Sequence, residues 1–256
     1  MSILFNANNW FVWPRVKPEA ETRLFMFPYA GGGPAVFNTW SSEFPGNVET
    51  WMAHYPGRGS RHQEAPIREI KILAERFVQA IQHLLDKPFA FFGHSLGGLV
   101  AFELARQLQE QDLPPPQILF LSACGAPHLP DLNPPIHKLP DSEFVVALQK
   151  LNGIPSEISN QPDVMQLLLP ILRADFEAVE SYRHDIDVSP LHVSILAFAG
   201  ADDPRVSQAR VEGWARHTDA GFRLQTFPGD HFFIHTCREA VMASIAAELV
   251  SSHEKN

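Results

Sequence analysis

One serine in this chain stands where a serine can be made reactive. In FAFFGHSLGGLV, residues 89–100, an apolar run breaks into Gly-His-Ser-Leu-Gly-Gly and resumes at once as an apolar helical pattern. Gly93 and Gly97 place Ser95 at the centre of Gly-x-Ser-x-Gly. Between a strand and a helix, that spacing makes a turn so tight that its central residue is strained, and small neighbours let the chain pass close to itself. The Ser95 hydroxyl would then stand at a helix N-terminus, where unpaired N–H groups favour developing negative charge. A tight turn without chemistry is the plain alternative. The flanking strand and helix favour a nucleophile elbow.

A serine hydroxyl attacks poorly until a base removes its proton, and the base needs an acid to orient it. On this kind of elbow the chain order is serine, acid, histidine. Two later strand ends supply both partners. ILAFAGADDPRV, residues 195–206, presents Asp202 and Asp203 just after Gly200, and LQTFPGDHFFIH, residues 224–235, presents His231 just after Gly229. Of 12 histidines, His231 alone follows a strand terminus after the candidate acid. His235 is the rival base, and His94, inside the elbow, reads as packing. Asp203 is preferred to Asp202 because Pro204 biases its predecessor to an extended conformation. Asp230 lies too close in sequence to reach around the imidazole and reads as a turn residue. Two backbone amides complete the machinery as an oxyanion hole. One belongs to Leu96, after the serine, and the other to Ala30, in the glycine-rich loop FPYAGGGPAVF, residues 27–37. That loop has neither Gly-x-Gly-x-x-Gly nor Walker spacing.

These residues need elements to hold them. Strands are expected at 23–28, 49–56, 89–93, 118–124, 193–200 and 222–228, with helical periodicity at 70–85 and 99–111 between them. Strands this apolar are buried on both faces, which predicts an α/β fold: a mostly parallel sheet with helices on both sides. From Pro127 to Pro190 the alternation stops. A Pro-rich start leads to helical stretches such as SEFVVALQKLN and DVMQLLLPILRADFEAVESY. The segment is too long for a loop and reads as a helical lid inserted in one domain spanning 1–256. Ordinary core is the alternative.

Composition narrows the partners. The 256 residues are 45% hydrophobic, enough for one substantial core, and the formal net charge is −9. An acidic surface argues against nucleic acid. The N-terminal stretch MSILFNANNWFVWPR lacks a basic n-region, and no apolar run reaches the length of a membrane span, so a monomeric cytoplasmic protein is expected. Cys124 and Cys237 make no disulfide framework, and no metal or cofactor is called for.

FPYAGGG, YPGRGSRHQE, FFGHSLGGLVAFELAR, LPILRADFEAVESY, GADDP and FPGDHFFIH occur in that order. On these residues the chain resembles the type II thioesterases, the stand-alone editing enzymes of nonribosomal peptide and polyketide synthesis, from about Arg23 to Leu249. The elbow is common to all α/β-hydrolases, whereas the PGRG-x-R loop and the LP-x-LRADF helix are more specific. The resemblance implies the α/β-hydrolase fold, Ser95, Asp203 and His231 as triad, and Ala30 and Leu96 at the oxyanion hole. It also implies a substrate: an acyl or aminoacyl thioester on the phosphopantetheine arm of a carrier protein. Such carriers are acidic, so an acidic enzyme needs a local basic patch. PGRGSRHQEAPIREIK, with Arg58, Arg61, Arg68 and Lys71, is the expected docking site. A carboxylesterase acting on free esters and a non-catalytic binding module are the rival readings.

Overall fold

The computed structural model describes residues 9–13, 17–131, 133–154, 156–185 and 188–253. Most of the N-terminal stretch read above for a leader lies outside them. Among the described residues no helix is long and apolar enough to cross a membrane.

Seven strands form one sheet: β1 (Phe11–Val12), β2 (Thr22–Phe27), β3 (Val48–Ala53), β4 (Phe89–His94), β5 (Ile118–Ser122), β6 (Ser194–Gly200) and β7 (Phe222–Phe227). Their order is β1-β3-β2-β4-β5-β6-β7. Every pairing is parallel except β1 with β3. The six parallel strands are those expected from the sequence, to within a few residues at their ends. The two-residue edge strand β1 was not expected. It is held by Phe11, which packs 5.1 Å from Phe25 and 5.2 Å from Phe77.

Helices follow the strands as α1 (Trp40–Glu43), α2 (Ile70–Ile81), α3 (Leu96–Glu110), α4 (Asp141–Lys150), α5 (Ser156–Ser159), α6 (Pro162–Ser181), α7 (Gln208–Glu212), α8 (Phe233–Thr236) and α9 (Arg238–His253). Alternate strand residues feed two cores. Phe25, Phe27, Phe89 and Phe91 face α2 and α3, whereas Leu24, Met26, Ala90 and Phe92 face Trp40 and the α9 residues Val241 and Ile245. In α2, Ile70, Leu73, Ala74, Phe77, Val78 and Ile81 recur at three- and four-residue steps and are buried. Burying that stripe against a sheet already apolar on both faces is the main driving force for this layering. The segment between β5 and β6 carries α4, α5 and α6 and has a separate small core around Phe144, Leu148, Met165 and Leu172.

Parallel strands all point the same way, so the turns after β2, β4, β6 and β7 gather at one edge. Ala30, Ser95, Asp203 and His231 occupy those four turns.

Candidate active site

Ser95 sits at φ 56° and ψ −115°, a left-handed conformation that a side chain rarely adopts. The tightness has a direct cause. A Cβ on Gly93 would lie 2.1 Å from the Gly97 carbonyl oxygen, and one on Gly97 would lie 2.0 Å from that of Phe27. The Ser95 amide donates to the Ser122 carbonyl at 2.8 Å, which fixes the turn to β5. Strain of about 1–3 kcal/mol persists only where the surroundings over-determine it. Here they do.

His231 Nε2 lies 2.9 Å from Ser95 Oγ, and His231 Nδ1 lies 2.8 Å from Asp203 Oδ2. A carboxylate oxygen accepts, so His231 donates through Nδ1–H, and Nε2 is left free to accept the serine proton. The Asp203 side chain is 1% exposed. Its other oxygen accepts the amides of Arg205 at 2.8 Å and Val206 at 3.0 Å. Asp202 is exposed and directs only its backbone inward, its amide donating to the Gly229 carbonyl. Asp230 accepts the Phe232 amide at 2.8 Å and the Asn152 side-chain amide at 2.9 Å. His235 pairs with the Tyr29 hydroxyl at 3.1 Å. The structure therefore brings together the three residues selected from the sequence and leaves their rivals apart.

His94 has more to do than pack. It is fully buried, and burial holds its pKa well below the usual imidazole value. Its Nε2 lies 2.9 Å from the His231 carbonyl and its Nδ1 lies 2.9 Å from Ser122 Oγ. A carbonyl only accepts, so Nε2 carries the proton and Nδ1 accepts from the serine hydroxyl. The residue before the elbow thus ties down the backbone of the residue that serves the elbow. Nothing in local spacing marks this contact, because the two positions are 137 residues apart.

Leu96 is the first residue of α3, so its N–H has no intrahelical acceptor. Ala30 lines the same cavity as Ser95 and His231. That cavity measures about 50 Å³, and Leu148, Leu151, Leu172, Phe176 and Val179 from the β5–β6 segment form its apolar side. A second, larger cavity of about 450 Å³ also reaches Ser95 and His231. Its lining is mixed, with Asp131, Glu180, Arg183, Arg205 and Arg210 on its walls beside apolar residues such as Leu99 and Leu129.

Of the expected docking stretch, Arg68 and Lys71 are exposed, whereas Arg58 and Arg61 are buried. Arg58 is 7% exposed and Arg61 is 5% exposed. Arg58 forms a two-pronged ion pair with Asp175 of α6, at 2.7 and 2.8 Å. Arg61 donates to Glu64 and to the His54 carbonyl, with its guanidinium 4.2 Å from the centre of the Trp10 ring. Arg68 pairs with Glu177, again on α6. Two of its arginines thus face acids of α6, and a third faces Glu64 of its own stretch. Counting charges in sixteen neighbouring residues could not reveal a partner more than a hundred positions away.

The thioesterase-domain family model matches residues 22–249. The chain is 39% identical over 249 residues to Linear gramicidin dehydrogenase LgrE of Brevibacillus parabrevis, covering 96% of this chain and 94% of that protein. It is 37% identical over 249 residues to Gramicidin S biosynthesis protein GrsT of Aneurinibacillus migulanus, covering 97% of each. Among solved structures, the type II thioesterase BorB from the borrelidin biosynthetic cluster superposes with a TM-score of 0.86 at 32% identity, covering 94% of this chain and 98% of that one.

Proposed function

The chain belongs to the thioesterase family, as a serine hydrolase of the α/β-hydrolase fold acting on thioester bonds, and on that premise we propose that Ser95, His231 and Asp203 cleave acyl or aminoacyl groups from the phosphopantetheine arm of carrier proteins. The observation that carries the reading is the continuous Ser95–His231–Asp203 relay at 2.9 and 2.8 Å, opening on a small apolar cavity and on a larger one that carries charged side chains.

His231 takes the Ser95 proton as Oγ attacks the thioester carbonyl. The tetrahedral oxyanion accepts from the Ala30 and Leu96 amides, in a site where each such donor is worth about 10²–10³ in rate. Collapse breaks the C–S bond and leaves an acyl-serine. The departing thiolate, whose thiol has a pKa near 8.5, needs little help to leave and takes the proton from His231, which restores the neutral base. His231 then takes a proton from water as its oxygen attacks the acyl-serine, and on collapse gives that proton to Ser95 Oγ, which regenerates the serine and releases the carboxylic acid.

The small apolar cavity suits the acyl group, and the larger one, with its charged side chains, suits the hydrophilic arm. Segment 127–190 is then a lid over Ser95 within a single domain, since its α4 and α6 residues wall the acyl side. Arg183 stands on the wall of the larger cavity, exposed, with its guanidinium donating to the carbonyls of Glu180 and Tyr182. It is better placed than Arg58 or Arg61 to meet a phosphate or an acidic carrier. A monomer working in the cytoplasm fits this role. The name of one relative speaks of a dehydrogenase, but this sequence contains no Gly-x-Gly-x-x-Gly, and its Gly31 amide is taken by Asp175.

Incubation with acetyl- and aminoacyl-loaded carrier proteins, followed by mass spectrometry of the arm, tests the proposal. Loss of the acyl mass at catalytic enzyme concentration is expected. Carriers that stay loaded while free esters are hydrolysed would replace this reading with that of a carboxylesterase.

A further inference from the structure

The amide next to Ala30 is held from an unexpected direction. Gly31 N–H donates to Asp175 Oδ2 at 2.7 Å. The same oxygen accepts from Arg58 Nη1 at 2.7 Å, and Oδ1 accepts from Arg58 Nη2 at 2.8 Å. Arg58 Nη1 also donates to the Gly32 carbonyl at 3.0 Å, and the Tyr55 hydroxyl donates to the Pro28 carbonyl at 3.2 Å. The loop is therefore gripped at residues 28, 31 and 32, on both sides of Ala30.

The Asp175 side chain is 2% exposed and that of Arg58 is 8% exposed. Two charges taken out of water hold together only if their remaining donors and acceptors are satisfied, and here the loop backbone satisfies them. Asp175 lies on α6, the helix whose Leu172, Phe176 and Val179 line the apolar cavity beside Ser95. Leu172 also abuts the loop: a Cβ on Gly31, at φ 76°, would lie 2.6 Å from Leu172 Cδ2. A shift of α6 caused by whatever fills that cavity thus reaches the Gly31 amide through a single side chain.

We propose that Asp175 is a positioning residue that fixes the Gly31 amide and thereby aims the Ala30 N–H at the developing oxyanion, so that oxyanion-hole geometry depends on how the acyl group seats α6. The proposal rests on the reading of Ser95 and Ala30 given above. Its physical basis is that an oxyanion donor works only about 2.7–3.1 Å from where the charge will sit. Three consecutive glycines, Gly31 to Gly33, have no side chains with which to hold a loop still. An anchor from outside supplies the rigidity. Acyl groups that lift α6 are then discriminated in kcat more than in KM, because the loss arises at the transition state.

The test measures kcat and KM on acetyl, butyryl and octanoyl thioesters of N-acetylcysteamine, which need no carrier. Asp175→Ala is expected to lower kcat about 10²-fold, the cost of one oxyanion donor, with KM within about threefold and the pH–rate profile unmoved, because His231 and Asp203 are untouched. Asp175→Asn, whose side-chain carbonyl still accepts from Gly31, should recover about tenfold of that loss, since one neutral hydrogen bond replaces a charged one. The dependence of kcat on acyl length should flatten in Asp175→Ala. Because that variant strands a buried arginine, Arg58→Met/Asp175→Leu serves as the folded control, since apolar replacement of a buried pair is often neutral for stability. The double variant should melt near wild type and share the kcat deficit. Wild-type kcat in the double variant, or a change confined to KM, overturns the proposal alone. A wild type that cleaves no thioester overturns the reading of Ser95 as well.

Discussion

Asp203 divides its carboxylate between His231 and its own chain. Oδ2 accepts from the imidazole at 2.8 Å, and Oδ1 accepts two backbone amides at 2.8 and 3.0 Å. The second oxygen is what makes the first reliable: the side chain cannot rotate without losing two hydrogen bonds. Asp203→Asn should keep this geometry and still fail, because an amide stabilises the wrong imidazole tautomer. A fall in kcat of about 10⁴-fold on a small thioester is expected. Asp202→Asn, at an exposed position, should cost less than about tenfold, within what a surface substitution away from the relay can do. Reversed effects would move the acid to Asp202.

Ser95→Ala should abolish turnover, by about 10⁶-fold as for triad nucleophiles in general. Its melting temperature should not fall, since the strained turn is held by Gly93, Gly97 and the bond to Ser122 rather than by the hydroxyl. A fluorophosphonate should label wild type at Ser95 and leave the variant unlabelled. Modification at another serine would remove Ser95 from the mechanism.

Arg61→Glu now has a different expected outcome from the one a docking role would give. The position is buried, and the new carboxylate would face Glu64 and lose the contact with Trp10. Leaving charges buried and unpaired costs about 3–5 kcal/mol, which corresponds to a fall in Tm of roughly 10 °C for a chain of this size. Activity on carrier-bound and small thioesters should decline together. A loss confined to carrier-bound substrates would return Arg61 to the interface.

Acid should destabilise the fold through His217. Burial, then the neighbouring His184, His128, Arg216 and Arg106, depresses its pKa to about 3. The unfolded chain takes up the proton near the ordinary value of about 6.5, so unfolding binds a proton that folding excludes. The stabilising contribution is complete above that pH and is lost progressively as pH falls toward 3. Thermal denaturation between pH 7 and pH 4 should show Tm declining, with a shallower slope in His217→Gln. Parallel slopes would mean that other groups, His94 among them, carry the effect.

The sheet, the elbow and the three relay residues were legible because their signals are local. Runs of five to seven strand-forming residues mark β2 through β7, and each relay residue sits within four positions of a strand end. What stayed hidden depends on contacts between distant segments. β1 pairs for only two residues, too short for any periodicity. His94 looks like filler until the backbone of His231 arrives beside it. Arg58 and Arg61 carry the same charge in a docking patch as in a buried ion pair, and only burial separates the two. The motif PGRG and the motif RADF were each noticeable in the sequence. That they are two halves of one contact was not.

The pairing of Arg58 with Asp175 also bears on ancestry. The two positions are 117 residues apart, with β4 and β5 between them in the chain. A recombination that brings in a β5–β6 segment without a carboxylate at position 175 would leave Arg58 behind without its partner. Swapping in a segment that lacks this carboxylate, to borrow another enzyme's acyl preference, should therefore give inactive chimeras unless residues 56–61 travel with the helix. In a mutational library the same rule should appear as single changes lost at either position and some paired changes retained, since coupled neighbours depart from additivity. The unit available for evolution to trade is thus larger than the inserted helices and includes a loop that lies two strands earlier in the chain.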